Sequence, residues 1–381
     1  MNLDELLTDE EKKVREGVRE FVDEHVLPII EDHYMAGTFP MEWVGQMGQL
    51  GYLGANLEGY GCTGLNAVAY GLMMQELERG DSGLRTFASV QGALVMYPIH
   101  AFGSEEQKER WLPQLQSGRA VGCFGLSEPD SGSNPGGMTT RAKKDGDHYV
   151  LNGKKAWITN GSIADLSVVW AKCEDEKIRG FLVEKGTQGL GTRDYQNKYS
   201  FRASVTSELI LDNCRIPQQN LLPGTVGLRN ALMCLNQARF GIAWGALGSA
   251  MVCYDAALRW SLKRKQFSDK PIASHQLVQN KLVWMLTEIT TAQLLAYRLG
   301  RLKEQGRHRF DQISMAKRNN VEIALKTARM ARDILGAHGI LGDHPVSRHM
   351  ANLETLYTYE GTHDIHTLIL GQSITGIAAF D

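Results

Sequence analysis

Tyr149-Val150-Leu151-Asn152-Gly153-Lys154-Lys155-Ala156-Trp157-Ile158-Thr159-Asn160 decides how the chain divides. Two short runs of β-forming residues flank Asn152-Gly153. A type I′ turn needs two residues that tolerate positive φ, and Asn-Gly meets that need, so a β-hairpin is expected here. Working outward, 166–171, 180–183 and 205–211 are further short apolar runs separated by turn residues. Strands at that spacing predict a β-barrel or sandwich over about 119–225.

Both flanks read as helix. In the first, Thr8-Asp9-Glu10-Glu11 is a capping box, followed by Val14, Val18, Phe21 and Val22 on one face. A second box, Ser104-Glu105-Glu106-Gln107, precedes Trp111 and Leu112, and Gly54, Gly59, Gly61 and Gly64 interrupt the helical pattern between the two. In the last third, Leu277, Leu282, Met285, Leu286 and Ile289 follow a helical period. Ile313, Ala316, Asn320, Ile323, Ala324 and Thr327 do the same, which predicts a bundle of long antiparallel helices. Helix, then sheet, then helix, without βαβ alternation, argues against a doubly wound sheet. The expected architecture is α+β: a helical N-terminal domain over 1–118, a barrel-like β-domain over 119–225 and a C-terminal four-helix bundle over 226–381. No repeat or low-complexity tract interrupts it.

Composition removes several function classes. Among 381 residues, Lys+Arg is 41 and Asp+Glu is 43, a net charge of −2. That excludes a polybasic nucleic-acid binder and an acidic disordered tail. Hydrophobic residues at 43% and charged residues at 22% match a globular chain, and 10 prolines leave little for long linkers. The six cysteines form no CxxC pair, so a zinc ribbon is not expected and a reducing compartment is. The acidic, amphipathic start has neither a signal-peptide core nor transit-peptide character, and no run of 18 apolar residues predicts a membrane span. The expected location is cytoplasmic, or the mitochondrial matrix if a transit peptide has been removed.

Four stretches carry candidate chemistry. Cys123-Phe124-Gly125-Leu126-Ser127-Glu128-Pro129-Asp130-Ser131-Gly132-Ser133-Asn134 is dense in glycine and hydroxyls and can present N–H groups to an anion or heterocycle. It is neither a GxxxxGK loop nor a GxGxxG fingerprint, and as a bare pattern it reads equally as a solvated loop. Trp157-Ile158-Thr159 sets a flat aromatic beside a hydroxyl, suited to line a ring cofactor or simply to pack in the core. Tyr359-Glu360-Gly361-Thr362-His363-Asp364-Ile365-His366 is a polar break between apolar helical stretches. A carboxylate held there among apolar neighbours has a raised pKa and can act as a base; a helix cap and a metal site using His338, His344, His349, His363 and His366 are the other readings. Arg85 precedes a mostly apolar stretch, near Glu78, Ser82 and Ser89, and needs an anionic partner, internal or from a ligand.

CFGLSEPDSGSN, KKAWITNG, CLNQARFGIAWG, RKQF, ARDILGAHGI and TYEGTHDIHTLILGQSITGI stand in one order along nearly the whole chain. In these motifs the chain resembles the acyl-CoA dehydrogenases, and within them most nearly the branch that oxidises glutaryl-CoA. The resemblance implies non-covalent FAD. Phe124, Leu126, Ser127, Gly132, Ser133, Trp157, Ile158 and Thr159 match positions around the flavin. Arg264, Phe267, Gln276, Asp333, Leu335 and Gly336 match positions holding the rest of FAD, partly from a neighbouring subunit, with Thr362 and Asp364 also near the cofactor. A homo-oligomer, usually a tetramer, is implied. Ser133, Leu235, Asn236, Arg239 and Gly361 match the acyl-CoA site.

By the same resemblance, Glu360 is the base that takes the proton α to the thioester while hydride leaves the β carbon. Arg85 would bind a distal carboxylate, with Glu78, Thr86, Ser89 and Tyr359 around it. Tyr359, where a non-decarboxylating branch has Val, favours loss of CO2 to give crotonyl-CoA. Electron-transfer flavoprotein is the expected acceptor. The alternatives are glutaconyl-CoA as product, a short-chain acyl-CoA substrate, or a same-fold flavoprotein that contacts DNA; the near-zero charge opposes the last.

Overall fold

The computed structural model describes residues 3–267 and 269–379. The N-terminal helices are α1 (Asp9–Phe21), α2 (Ile30–Ala36), α3 (Glu42–Gln49), α4 (Ala67–Gly80), α5 (Ser82–Ser89), α6 (Tyr97–Phe102) and α7 (Glu105–Gln116). Both capping boxes form: Thr8 and Glu11 start α1, and Ser104 and Gln107 start α7. A π-helical segment, Val90–Met96, joins α5 to α6 so that the chain after Arg85 stays helical.

The strands are β1 (Gly122–Gly125), β2 (Arg141–Asp145), β3 (His148–Thr159), β4 (Leu166–Lys172), β5 (Ile178–Glu184), β6 (Leu190–Asp194) and β7 (Thr206–Pro217). They form one curled sheet. β1 runs parallel to β4, β5 antiparallel on the other edge of β4, and β2–β3–β7–β6 continue antiparallel.

The expected hairpin at Asn152-Gly153 does not form. β3 runs straight through it, and the reversal lies one turn earlier, at Gly146-Asp147, where Asp145 pairs with His148. Asn152-Gly153 is instead a bulge against β7, with the register shifting between Leu151 and Gly153. The bulge needs its glycine: φ is +150°, and a Cβ would lie 2.4 Å from Thr140 Oγ1. β2 and β6 were not visible as apolar runs, because RAKKD and LGTRD bury little of their length.

The C-terminal part holds α8 (Leu228–Lys263), α9 (Gln276–Glu304), α10 (Phe310–Leu335), α11 (Val346–Thr358) and α12 (His363–Thr375). α8 is apolar on most faces because it is buried on most faces. Its Phe240, Ala243, Trp244 and Leu247 pack with the N-terminal helices, its Ile242, Ala246, Ala250 and Cys253 with the rest of the bundle. Ala231, Cys234 and Ala238 share a core with Phe124 of β1 and Leu126 just after it. By length and composition α8 is apolar enough to cross a membrane, but 67% of its most apolar window is buried in the protein. The helical period of α9 was read correctly, yet Leu277 and Leu286 face outward rather than into the core.

Candidate active site

The turn 359–361 between α11 and α12 is held from its backbone. Arg239 Nε on α8 donates to the Glu360 carbonyl at 2.7 Å. Lys317 Nζ on α10 donates to the carbonyls of Tyr359 at 3.2 Å and Gly361 at 2.9 Å. These contacts keep Glu360 at φ +53°, a left-handed conformation that costs a non-glycine residue about 1–3 kcal/mol. Thr362 then caps α12 by accepting from Ile365 N, so the helix-cap reading of this stretch holds alongside the functional one. Glu360 Oε2 is covered and has no hydrogen-bond partner. Burial pushes the carboxyl up to about 6, against the opposing pull of Arg85, Arg239 and Lys317. His366, buried behind Gly361, is pushed down to about 2 by burial and stays neutral.

Arg85 is fully buried on α5. Its Nε donates to Glu78 Oε2 at 2.6 Å, and Nη2 donates to the Tyr359 hydroxyl. The internal carboxylate expected for a buried arginine is therefore present. Glu78 is in turn held by the hydroxyls of Ser82 and Ser249. Thr86 Oγ1 lies 3.4 Å from the Tyr359 hydroxyl. Arg85 Nη1 and Ser89 Oγ, one helical turn apart on α5, are covered and unpartnered. Gly245 of α8 leaves the room for the ion pair: a Cβ there would sit 3.1 Å from both Arg85 Nε and Glu78 Oε2.

The loop after β1 is braced from below. Lys155, buried on β3, donates to the Leu126 carbonyl at 3.0 Å and to Glu128 Oε1 at 2.9 Å. Glu128 also accepts from Thr139 N and Oγ1 and from Thr140 N. Burial disfavours its charge, but the bonds from Thr140, Thr139 and Lys155 prevail and lower the carboxyl to about 2. That stabilisation is complete above the ordinary carboxylate pKa and is lost as pH falls toward 2. Glu128→Ala leaves Lys155 a buried, uncompensated cation. A loss of about 3–5 kcal/mol in unfolding free energy is expected by denaturant titration at pH 7. A loss under 1 kcal/mol would show that the brace is dispensable.

The Ala156 N–H donates to the Ser127 carbonyl at 2.9 Å, which seats Leu126 and Ser127 beside Trp157, Ile158 and Thr159. Trp157 is not core packing. It is 65% exposed, at φ +62°, and its ring stacks on Tyr195 at 4.2 Å and 9°. A bulky residue held at positive φ with an open face is strained for a purpose. With Ser127 bonded to the strand next to it and Thr159 two residues on, this exposed ring is a surface suited to a flat heterocycle. Phe124 and Ile158 are buried beneath; Gly132 and Ser133 are exposed on the loop. Leu235 and Asn236 lie on α8 one turn before Arg239, and Asp364 is exposed at the start of α12.

The remaining candidates gather elsewhere. Arg264, Phe267 and Gln276 are exposed around the α8–α9 connection. Asp333 pairs with Lys281 and Arg332, Leu335 is buried in the bundle core, and Gly336 follows it in the open. Twenty-five residues of helix separate Arg239 from Arg264, about 37 Å at 1.5 Å per residue. The five histidines do not converge. His338 and His344 sit against Trp260, His349 is bonded to Ser249, and His363 stacks on Tyr357. Among the described residues no group of three ligating side chains is placed to hold a metal. Reading the sequence missed Lys317, Lys155, Tyr195 and Tyr70, whose buried hydroxyl is unpartnered.

A helix–sheet–helix chain with a buried carboxyl raised to about 6 and an open aromatic shelf has the parts of a cofactor-dependent enzyme that removes a proton. Family models agree. The acyl-CoA dehydrogenase N-terminal, middle and C-terminal domains match residues 8–119, 123–214 and 225–375. Glutaryl-CoA dehydrogenase from Mycobacterium smegmatis is 51% identical, with a TM-score of 0.98 over 100% of this chain and 98% of that one. A structure of a glutaryl-CoA dehydrogenase from the same organism in complex with FADH2 is 49% identical, with the same TM-score and coverage. The human mitochondrial short-chain specific acyl-CoA dehydrogenase is 36% identical over 92% of this chain and 87% of its own length. The chain belongs to the acyl-CoA dehydrogenase family, and it is a flavoprotein that takes FAD.

Proposed function

We propose that the protein oxidises glutaryl-CoA and decarboxylates the product to crotonyl-CoA. The observation that carries the substrate is the pair of covered, unpartnered donors, Arg85 Nη1 and Ser89 Oγ, one helical turn apart on α5, with Arg85 bonded to the Tyr359 hydroxyl. A distal carboxylate satisfies both. A plain acyl chain leaves a buried guanidinium donor without an acceptor.

Bound FAD supplies the two-electron oxidant that accepts hydride from the β carbon. The chain supplies the rest. Glu360 Oε2, ionised above about pH 6, takes the α proton. The α proton is a weak acid, so the thioester carbonyl needs a fixed donor, and the Glu360 backbone N–H is our candidate. Loss of CO2 from glutaconyl-CoA leaves a carbanion, and the proton held on Glu360 returns to it to give crotonyl-CoA. Electron-transfer flavoprotein is the proposed acceptor for the reoxidation. The ~37 Å between Arg239 and Arg264 supports a homo-oligomer, in our reading a tetramer. In it a neighbouring copy brings Arg264, Phe267, Gln276 and 333–336 to the FAD that Trp157 flanks. Phe267 and Leu277, 98% and 79% exposed, then become covered.

The test is anaerobic. Glutaryl-CoA is expected to bleach the flavin absorbance and, with an electron acceptor present, to yield crotonyl-CoA and CO2. Bleaching by butyryl-CoA but not by glutaryl-CoA moves the protein to the short-chain acyl-CoA dehydrogenases. Accumulation of glutaconyl-CoA removes the decarboxylation.

A further inference from the structure

We infer that Lys317 is a positioning residue for Glu360: its buried ammonium grips the carbonyls on either side of residue 360 and holds the left-handed turn that aims the carboxylate. The inference rests on the reading of Glu360 as the base. Lys317 lies about two turns into α10 and is 1% exposed, in a place where an amphipathic helix would put an alanine or leucine. Burying an ammonium is costly unless its protons are engaged. Here they engage the carbonyl of Tyr359 and the carbonyl of Gly361. The carbonyl between them, that of Glu360 itself, is taken by Arg239. Three consecutive carbonyls are thus turned toward two cations on two different helices. No single neutral side chain with one donor could span 359 and 361, which are separated by the strained residue. The positive φ of Glu360 and of Gly361 leaves those carbonyls free for this grip, and the grip is what prevents the turn from relaxing.

The charged and titratable groups around Lys317 are few. Glu360 faces it from the turn, Arg239 from α8 and Arg85 from α5, with His363 and His366 on α12. Burial, Arg239 and Arg85 push the ammonium down to about 7, and Glu360 pulls the other way. Because Lys317 also holds the carbonyl of Tyr359, which Arg85 bonds through its hydroxyl, butyryl-CoA, with no distal carboxylate, is the substrate that reads the base apart from the Arg85 end.

The test uses full-length Lys317→Met with FAD bound, checked by flavin absorbance and melting temperature. Turnover of glutaryl-CoA and of butyryl-CoA is expected to fall about 10–100-fold in kcat, with KM for each within about threefold of the parent, as expected when a base is misaimed rather than a substrate lost. Deuterium wash-in at the α carbon of glutaryl-CoA, held by dithionite-reduced enzyme in D2O, is expected to slow in parallel. With reduced flavin no hydride can be accepted, so this reads proton transfer alone. A kcat within threefold of the parent, a loss carried by KM, or unchanged wash-in overturns the inference. If the Met variant does not hold FAD, Lys317→Gln, which keeps an N–H2 donor at shorter reach, is read by the same criteria. Glu360→Gln separates this from failure of the base assignment. An active Glu360→Gln enzyme refutes the base, whereas an inactive one beside a fully active Lys317→Met refutes only the grip.

Discussion

Glu360→Gln is expected to retain FAD and the fold while losing turnover by about 10⁴-fold, the upper end for removal of a general base. The amide has the shape of the acid and keeps the backbone that Arg239 and Lys317 hold, so the loss isolates proton transfer. Two further signatures should disappear with it. In the parent enzyme, kcat/KM should rise with pH through about 6, where burial has set the carboxyl, and fall about tenfold per pH unit below that. Only the ionised form accepts a proton, so activity is lost on the acid side. His366 cannot produce that limb, because burial pushes it down to about 2, whereas a limb set by His363, which burial also lowers, would persist in Glu360→Gln. Deuterium wash-in at the α carbon should likewise vanish. Wild-type-like turnover, or an acid limb that persists in the variant, would mean that another group takes the proton.

Local signals were legible where they depend on neighbours in the chain. Thr8 with Glu11 and Ser104 with Gln107 are bonds across three residues, and both form. The segmentation into helix, strand and helix was legible for the same reason. Asn152-Gly153 misled because its local pattern satisfies two structures. A type I′ turn and a glycine bulge both need positive φ, and the approach of Thr140, remote in the pattern, selects the bulge. Glu360 and Arg85 stood out as polar residues in apolar settings. Lys317 and Lys155 did not, because a lysine on a helix or on an alternating strand reads as solvent-facing. What buries them lies 42 and 27 residues away, at Tyr359 and Glu128. The outward faces of Leu277 and Leu286 were illegible from periodicity, which records an apolar stripe and not what covers it.

The sharpest test of substrate is at the far end of the pocket. Arg85→Ala by itself would strand Glu78, fully buried, without its cation, and the fold would suffer by about 3–5 kcal/mol. Arg85→Met combined with Glu78→Gln removes both charges at similar volume, so the pocket stays packed and hydrogen bonds from Ser82 and Ser249 remain possible. For this pair kcat/KM with glutaryl-CoA should fall by about 10²–10³-fold, the cost of taking one partner from a buried, hydrogen-bonded charge pair. Butyryl-CoA should be affected in the opposite sense. In the parent it leaves Arg85 Nη1 and Ser89 Oγ unsatisfied, and in the variant one of those two penalties is gone. The ratio of the two substrates, not either rate alone, is therefore the reading. A ratio that inverts places the guanidinium against the distal carboxylate. Equal losses for both substrates would make Arg85 a strut for Tyr359, to which it also donates, and would leave the short-chain acyl-CoA dehydrogenases as the better description of this chain's chemistry.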